Sequence, residues 1–161
     1  MLLSENQLNA RLFLSPMELN PGIPEHYFDC VYSVYGLGWT QDLEQTIALV
    51  SRYLKTNGTF IFSWDNPLIP CIDSVNGQYV ISRSYTAEEK LHKRQRGQPV
   101  VMTNWKLSSY INLLAKHRFR IEQLVEDSDN YTVNAPYDGD YYSEHKAAYL
   151  HHTFVIKARK I

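Results

Sequence analysis

The segment from Phe28 to Trp64 constrains the fold most, because it predicts a strand, a helix and a second strand joined by short connections. Residues Cys30 to Tyr35 form an apolar, β-favouring run that is typical of a buried strand. Thr59 to Trp64 is the second run of this kind. Two strands linked through a helix predict a right-handed βαβ unit, in which the strands are parallel.

The helix between these two strands has one apolar face. Its apolar side chains recur at helical spacing, at Leu43, Ile47, Val50 and Leu54. Thr40 is a candidate N-cap. We expect the helix to end at Asn57-Gly58, because glycine adopts the left-handed conformation of a helix terminus without strain.

The chain beyond Trp64 predicts a change to an antiparallel arrangement. Gly77 to Ser84 and Pro99 to Trp105 are β-like, and the polar, basic stretch Lys90 to Gln98 between them predicts a solvated tip. We therefore expect one antiparallel hairpin over residues 77–105. The elements predicted after it are a helix over Leu107–Leu114, a strand over Phe119–Val125, a tyrosine-rich loop over Asp127–Tyr142 and a last strand over Tyr149–Ala158.

Composition and charge limit the classes of partner. A chain of 161 residues, 44% hydrophobic and 20% charged, is about one globular domain. The net charge of −1 gives no bulk attraction to nucleic acid or to an anionic membrane. No apolar run approaches the roughly 20 residues that span a bilayer. Because the first residues lack a signal-peptide pattern and only two cysteines are present, we expect a reducing, cytoplasmic location.

A metal-dependent hydrolase has little support in the sequence. His145, His151 and His152 form a cluster, but adjacent histidines on a strand point to opposite faces and cannot hold one ion from the same side. Cys30 and Cys71 lack the spacing of a zinc site. We therefore expect no metal ion.

Four groups of residues, taken in order along the chain, resemble a known family. They are Phe28-Asp29 with Ser33, Leu37 and Trp39; Leu54-Lys55 with Gly58 and Phe60 to Ser63; Pro67-Leu68 with Arg83-Ser84-Tyr85; and Leu107 to Leu114 with Phe119, Ile121 and Phe154 to Lys160. Their order and spacing resemble the C-terminal two-thirds of the catalytic domain of class I S-adenosylmethionine-dependent methyltransferases, of the type that acts on small molecules.

The resemblance implies an α/β fold that is the C-terminal portion of a Rossmann-like, doubly wound sheet. This sheet would be mostly parallel, with an antiparallel last strand and an inserted β-hairpin. Residues 1–161 would form a single truncated methyltransferase domain, and the hairpin at 77–105 would lie over the site.

The resemblance also implies S-adenosylmethionine as the cofactor and assigns residues to it. The cofactor would bind outside the carboxyl ends of the strands. Ser33, Val34 and Tyr35 would lie beside its methionine end, and Ser15 and Met17 beside its adenine. The family usually carries an acidic residue where Ser15 stands, so the match is poorer at this position.

A small-molecule substrate is expected beside the cofactor. The resemblance places Trp39 and Trp64 against the transferred methyl group or the substrate, and Tyr85 and Trp105 at the mouth of the site. Asp65 follows the second strand, where a proton acceptor could lie. The alternatives are packing roles for the two tryptophans and an exposed loop carboxylate at Asp65. The 12 tyrosines fit a wet, aromatic-lined pocket and an amphipathic lining of the core equally well.

The family's glycine-rich cofactor loop is the largest departure, since no G-x-G-x-x-G run occurs in these 161 residues. The family's ribose-binding acid has no counterpart either. Without the strands that carry them, the strand at Cys30–Tyr35 becomes a sheet edge, and the cofactor loses a cradle of backbone N–H groups. We therefore expect the isolated chain to bind the cofactor weakly and to be inactive.

Two functions follow as alternatives. The first is a small-molecule methyltransferase that is incomplete as this chain alone and is completed by a second copy or by a separate N-terminal half. The second is a non-enzymatic remnant that acts as a dimer or a partner-binding module through its open sheet edge.

Overall fold

A computed structural model describes residues 9–95, 97–126 and 135–161 of the chain. The strands and helices are, in order, β1 (Phe28–Val34), α1 (Leu43–Tyr53), β2 (Leu54–Asp65), β3 (Ile72–Val75), β4 (Gln78–Ile81), β5 (Lys90–Gln95), β6 (Gln98–Thr103), α2 (Leu107–Lys116), β7 (Phe119–Val125), α3 (Glu144–Ala147) and β8 (Thr153–Lys160). Two 3₁₀ turns lie at Leu37–Trp39 and Ile69–Cys71.

Four of these strands form one mixed sheet in the order β1-β2-β8-β7. β1 and β2 are parallel, as the strand-helix-strand pattern predicts. β8 lies antiparallel between β2 and β7, so the predicted antiparallel last strand is confirmed. The carboxyl ends of β1 and β2 therefore meet at one edge of the sheet, where ligands bind in open α/β folds.

The helix α1 has different ends from those predicted. Asp42 is the N-cap, since its side chain accepts a hydrogen bond from the Gln45 backbone N–H at 2.9 Å. Thr40 is instead buried, with its hydroxyl bonded to Glu18 and Thr46. The helix ends at Tyr53, before the predicted Asn57-Gly58, because Leu54 is already extended and begins β2.

The left-handed position near this turn falls on Asn57, with φ of 64°, and not on Gly58. Asparagine tolerates this conformation better than most residues. A Cβ on Gly58 would lie 2.9 Å from both the Leu54 side chain and the Lys55 carbonyl oxygen. The glycine is therefore needed for close packing, and the asparagine provides the turn.

The core lies between the sheet and the two longer helices. Phe60, Phe62 and Phe154 project from β2 and β8, and Tyr110 of α2 packs over Phe62 and Phe154 with ring centroids 5.6 and 5.3 Å away. At the far end of β8, the buried Lys160 ammonium donates to the carbonyl oxygens of Ser51 and Leu54 at 2.6 and 2.8 Å. This ammonium ties β8 to the C-terminus of α1, where a positive charge is favourable.

The single hairpin predicted over residues 77–105 is wrong, because the structure forms two hairpins there. β4 pairs with β3, which precedes the predicted segment, through a turn at Asn76-Gly77. β6 pairs with β5, so most of the predicted polar tip is itself a strand. Adjacent segments joined by tight turns pair with each other here, which removes the long loop that the predicted pairing needed.

The strand β1 forms one edge of the sheet among the described strands, as expected. Tyr32 and Val34 on this strand are 76% and 70% exposed. Beside β1, the segment at residues 13–23 borders a largely apolar groove of about 450 Å³. No helix within the described ranges is long and apolar enough to cross a membrane.

Candidate functional site

A cavity of about 380 Å³ opens at the carboxyl ends of β1 and β2. Five elements meet around it: the residue after β1, the first 3₁₀ turn, the end of β2, the hairpin β5–β6 and the segment before α3. The lining residues are Tyr35, Trp39, Trp64, Asp65, Lys93, Arg94, Gln95, Val100, Met102, Tyr141 and Tyr142.

Three aromatic side chains form one wall of this cavity. The ring of Trp64 lies 5.7 Å from that of Trp39, edge to face, and 6.1 Å from that of Tyr35. The indole N–H of Trp39 donates to the Tyr35 carbonyl oxygen at 3.1 Å. Tyr35 itself has a positive φ of 48°, so the backbone turns sharply at the end of β1. These contacts fix the orientation of the wall.

Gly38 allows this packing, because a Cβ at this position would lie 2.0 Å from the Trp64 indole. Any side chain here would have to displace the ring from the cavity wall. The glycine is thus required by close approach and not by its backbone angles, for its φ is not in the left-handed region.

Asp65 lies at the inner end of the cavity and is only 5% exposed. The Tyr142 hydroxyl donates to both of its carboxyl oxygens, at 2.8 and 3.1 Å, and the Tyr141 hydroxyl donates to Oδ2 at 3.4 Å. Desolvation raises the pKa of Asp65 above its ordinary value, against the opposing effects of the tyrosine hydrogen bonds and of Lys93. Burial and the Asp65 charge raise the pKa of both phenols, so they remain hydrogen-bond donors.

The hairpin β5–β6 forms the opposite, exposed side of the cavity. The Lys93 ammonium lies 5.3 Å from the centre of the Tyr141 ring. The Arg94 guanidinium donates to the Gly97 carbonyl oxygen at 3.0 Å and thus folds back on the hairpin's own turn. Behind Tyr141, the buried Lys146 ammonium donates to the Tyr141 carbonyl oxygen at 3.3 Å and supports this segment from outside the cavity.

The structure brings together four of the residues singled out in the sequence, namely Tyr35, Trp39, Trp64 and Asp65. The expected alternative for Asp65, an exposed loop carboxylate, does not apply, because this side chain is buried.

Other candidate residues lie elsewhere. Ser15, Met17 and Ser33 line the groove beside β1, and Val34 is exposed on that strand. Tyr85 and Trp105 do not line the cavity: the Tyr85 hydroxyl accepts from the Leu107 backbone N–H at 3.3 Å, and Trp105 borders a separate groove beside α1 and α2. Both residues lie outside the hairpin β5–β6, which is the one that covers the cavity.

Sequence reasoning missed Tyr141, Tyr142 and Lys93. The two tyrosines belong to the predicted loop at Asp127–Tyr142, of which residues 127–134 lie outside the described residues. The sequence feature that points to these two residues is the abundance of tyrosine. It favours an aromatic-lined pocket but does not identify the rings that line it. Across the ranges that the structure describes, no three His, Cys, Asp or Glu residues cluster as metal ligands would.

Asp65→Asn is expected to raise the free energy of unfolding at neutral pH and to change it little in acid. A folded-state pKa above the unfolded-state pKa means that Asp65 favours the fold only while it is protonated. Protonated Asp65 makes its whole contribution to the free energy of unfolding below the unfolded-state pKa. This contribution is lost as the pH rises through the raised folded-state pKa. Urea unfolding of both proteins over a pH series measures the difference. Asp29→Asn is the control, because Asp29 is exposed and its ion pair with Lys55 is exposed too, and such pairs contribute little to stability. A difference between Asp65→Asn and the unsubstituted protein that does not depend on pH would contradict the expectation.

Comparison with known proteins gives the chain's relatives. A family profile described as a methyltransferase domain matches residues 3–62. An uncharacterised protein of Haemophilus influenzae is 27% identical over 124 residues, which cover 71% of this chain and 49% of that protein. The ubiquinone/menaquinone biosynthesis C-methyltransferase UbiE of Francisella tularensis subsp. novicida is 33% identical over 57 residues, 35% of this chain and 23% of that one. The chain spans about half the length, or less, of these curated relatives.

The fold has counterparts among solved structures. A candidate S-adenosylmethionine-dependent methyltransferase from Listeria monocytogenes matches with a TM-score of 0.76 and 18% identity, over 98% of this chain and 73% of that one. At this level of identity the similarity establishes the fold. The methyltransferase-domain profile thus matches 60 of the 161 residues, and the fold is that of a solved structure described as an S-adenosylmethionine-dependent methyltransferase.

Proposed function

We propose that this chain provides the acceptor site of an S-adenosylmethionine-dependent methyltransferase that acts on a small molecule. The observation that carries the proposal is the aromatic cavity with Asp65 at its inner end, at the carboxyl ends of β1 and β2. Its volume of about 380 Å³ lies in the range of small-molecule sites. Its aromatic wall of Tyr35, Trp39 and Trp64 offers apolar surface beside the carboxyl group of Asp65.

The chain's residues fit one part of the proposed cofactor. S-adenosylmethionine, when bound, supplies an electrophilic methyl group on a sulfonium. Ser15, Met17 and Ser33 line the apolar groove beside β1, which suits the adenine. Tyr35 lies between that groove and the cavity, because it follows Ser33 and Val34 and lines the cavity. The methionine end would therefore approach the cavity near Tyr35.

Methyl transfer depends mainly on position. The acceptor atom must lie in line with the breaking bond in a dry site, and orientation of this kind supplies most of the rate. Trp39, Trp64 and Tyr35 provide a rigid wall for the acceptor, because each is held by a ring contact or a hydrogen bond. Asp65 offers carboxyl oxygens for a proton or a hydrogen bond of the acceptor.

The remaining wall of the cofactor site would come from polypeptide other than these 161 residues, such as a second copy or an N-terminal half. The sequence offers no glycine-rich loop for it. The exposed edge of β1, with Tyr32 and Val34, is where such a wall would pair with the sheet. This same edge favours the second candidate function, a non-enzymatic module that binds a partner or a second copy through β1.

Formation of S-adenosylhomocysteine tests the proposal. The chain would be incubated with millimolar S-adenosylmethionine and a mixture of small nucleophiles, with and without a polypeptide that carries a glycine-rich cofactor loop. We expect product above the protein-free background only with the added polypeptide, and we expect Trp39→Ala to abolish it. Transfer of the methyl group to protein instead of to a small molecule, read by mass spectrometry, would contradict the small-molecule assignment. No transfer under either condition would favour the partner-binding module.

A further inference from the structure

We infer that the methyl acceptor is an amine, which enters the cavity as its ammonium and is held by Asp65 and the surrounding aromatic rings. The inference rests on the proposed function and specifies the chemistry of its acceptor. It follows from three properties of the cavity: the burial of Asp65, the spare capacity of its carboxylate, and the rings that surround it.

Buried carboxylates are normally paired with a cation, and Asp65 is 5% exposed. None of the salt bridges formed by the described residues involves Asp65. Its hydrogen bonds come from two neutral phenols, those of Tyr141 and Tyr142. A carboxylate offers about four acceptor positions, so the group can accept a further N–H donor from the cavity side.

The walls of the cavity suit a cation. Tyr35, Trp39, Trp64, Tyr141 and Tyr142 all line it. An aromatic ring attracts a cation that lies over its face, and groups of aromatic rings are known to bind ammonium ligands. The Tyr141 ring already has the ammonium groups of Lys93 and Lys146 at 5.3 and 5.6 Å from its centre, so the rings that remain for a ligand are the other four.

The reaction balances with these groups. The ammonium gives one proton to the Asp65 carboxylate and becomes a neutral amine with a free electron pair. That pair forms the new N–C bond while the S–C bond of S-adenosylmethionine breaks, and the sulfur keeps the bonding pair to give S-adenosylhomocysteine. The product is the methylated ammonium, and the proton on Asp65 passes to solvent. The raised pKa of Asp65 favours its role as the proton acceptor.

The competing acceptor is an organic acid bound by Lys93 and Arg94 of the hairpin. Both side chains are exposed, so water and salt screen their charges, whereas Asp65 is buried and screened little. The Arg94 guanidinium is also engaged with the Gly97 carbonyl. The electrostatics of the inner cavity therefore favour a cation.

Three ligands with the same ring test the charge preference: benzylamine, benzyl alcohol and benzoate. Their binding to the full chain at neutral pH can be followed by tryptophan fluorescence, because Trp39 and Trp64 line the cavity. We expect benzylamine to bind about tenfold more tightly than benzyl alcohol, and benzoate to bind most weakly. Tighter binding of benzoate, equal binding of all three, or no binding of benzylamine would each overturn the inference.

Variants assign the preference to Asp65. Asp65→Asn is expected to reduce the preference for benzylamine over benzyl alcohol to a few-fold at most. Lys93→Gln should keep or increase it, and Lys90→Gln on the same hairpin, outside the cavity lining, is the matched control. If Asp65→Asn keeps the full preference, Asp65 is not the binding group. None of these titrations needs the cofactor. Amine-selective binding without methyl transfer would therefore refute the proposed methyltransferase function but not the preference of the cavity for amines.

Discussion

The purified 161-residue chain should bind S-adenosylhomocysteine with a dissociation constant roughly two to six orders of magnitude higher than that of a complete methyltransferase. A glycine-rich loop and a ribose-binding acid would hold the ribose and the carboxyl end of the ligand. Each charge-assisted hydrogen bond is worth roughly 1.5–3 kcal/mol, so losing two or three of them costs about 3–9 kcal/mol. In the proposed function, the groove beside β1, with Ser15, Met17 and Ser33, would leave contacts for the adenine only.

Calorimetric titration of a verified monomer measures this affinity. Micromolar, one-to-one binding would overturn the expectation, because it would mean that the groove and cavity suffice for the whole ligand. Binding that appears only after the chain self-associates, or after an N-terminal fragment is added, would support a cofactor wall from a second polypeptide. Adenosine is a useful control ligand. Relative to a complete enzyme, its affinity for this chain should be reduced less than that of S-adenosylhomocysteine.

Phe62→Ala should lower the free energy of unfolding by about 3–5 kcal/mol, the usual cost of removing a buried phenylalanine. Phe62 is 1% exposed at the centre of β2. Its ring lies 5.0 Å from Phe60, 5.6 Å from Tyr110 and 5.9 Å from Phe154, measured between ring centres. Its removal leaves a cavity between the sheet and α2, which neighbouring aromatic rings are too rigid to fill.

Tyr32→Ala is the matched control for this substitution, because it removes an aromatic ring from an exposed site on the same sheet. Urea unfolding should show a change of less than about 0.5 kcal/mol for this variant. A cost for Tyr32→Ala close to that for Phe62→Ala, or one that grows with protein concentration, would show that β1 is covered in solution. An unchanged midpoint for Phe62→Ala would mean that the core is packed differently.

Local patterns predicted the parts of the fold that depend on near neighbours. The strand–helix–strand unit follows from side-chain periodicity, and its parallel pairing follows from the crossover helix. Arg118, which lies in the turn between α2 and β7, has a positive φ of 63°. Lys106 at the start of α2 gives no side-chain cap. The conformation of residues at the ends of a helix depends on the backbone of the adjacent turn.

The hairpins were harder to predict, because alternation identifies strands but not their partners. The basic stretch at Lys90–Gln95 looked like a solvated tip, yet it pairs residue by residue with β6. Its polar side chains are tolerated because most of them remain exposed. The tight turn at Gly97, with φ of 79°, was the local signal for this pairing.

Half of the candidate site depends on contacts between distant parts of the chain. The hydrogen bonds from Tyr141 and Tyr142 to Asp65 join residues more than seventy positions apart. No spacing rule connects a loop to a strand end over that distance. The end of β2 could be located from the sequence, but the burial of its aspartate could not, since the tyrosines and the hairpin that cover Asp65 come later in the chain.

The order of strands in the sheet has a consequence for how the protein is made on the ribosome. β8 lies between β2 and β7, although both of those strands are synthesised before it. Until β8 has emerged, β2 and β7 have no partner between them, and the carbonyl groups at the end of α1 lack the Lys160 ammonium. Until then the nascent chain carries unpaired strand edges on β2 and β7, which make incompletely folded chains prone to aggregation.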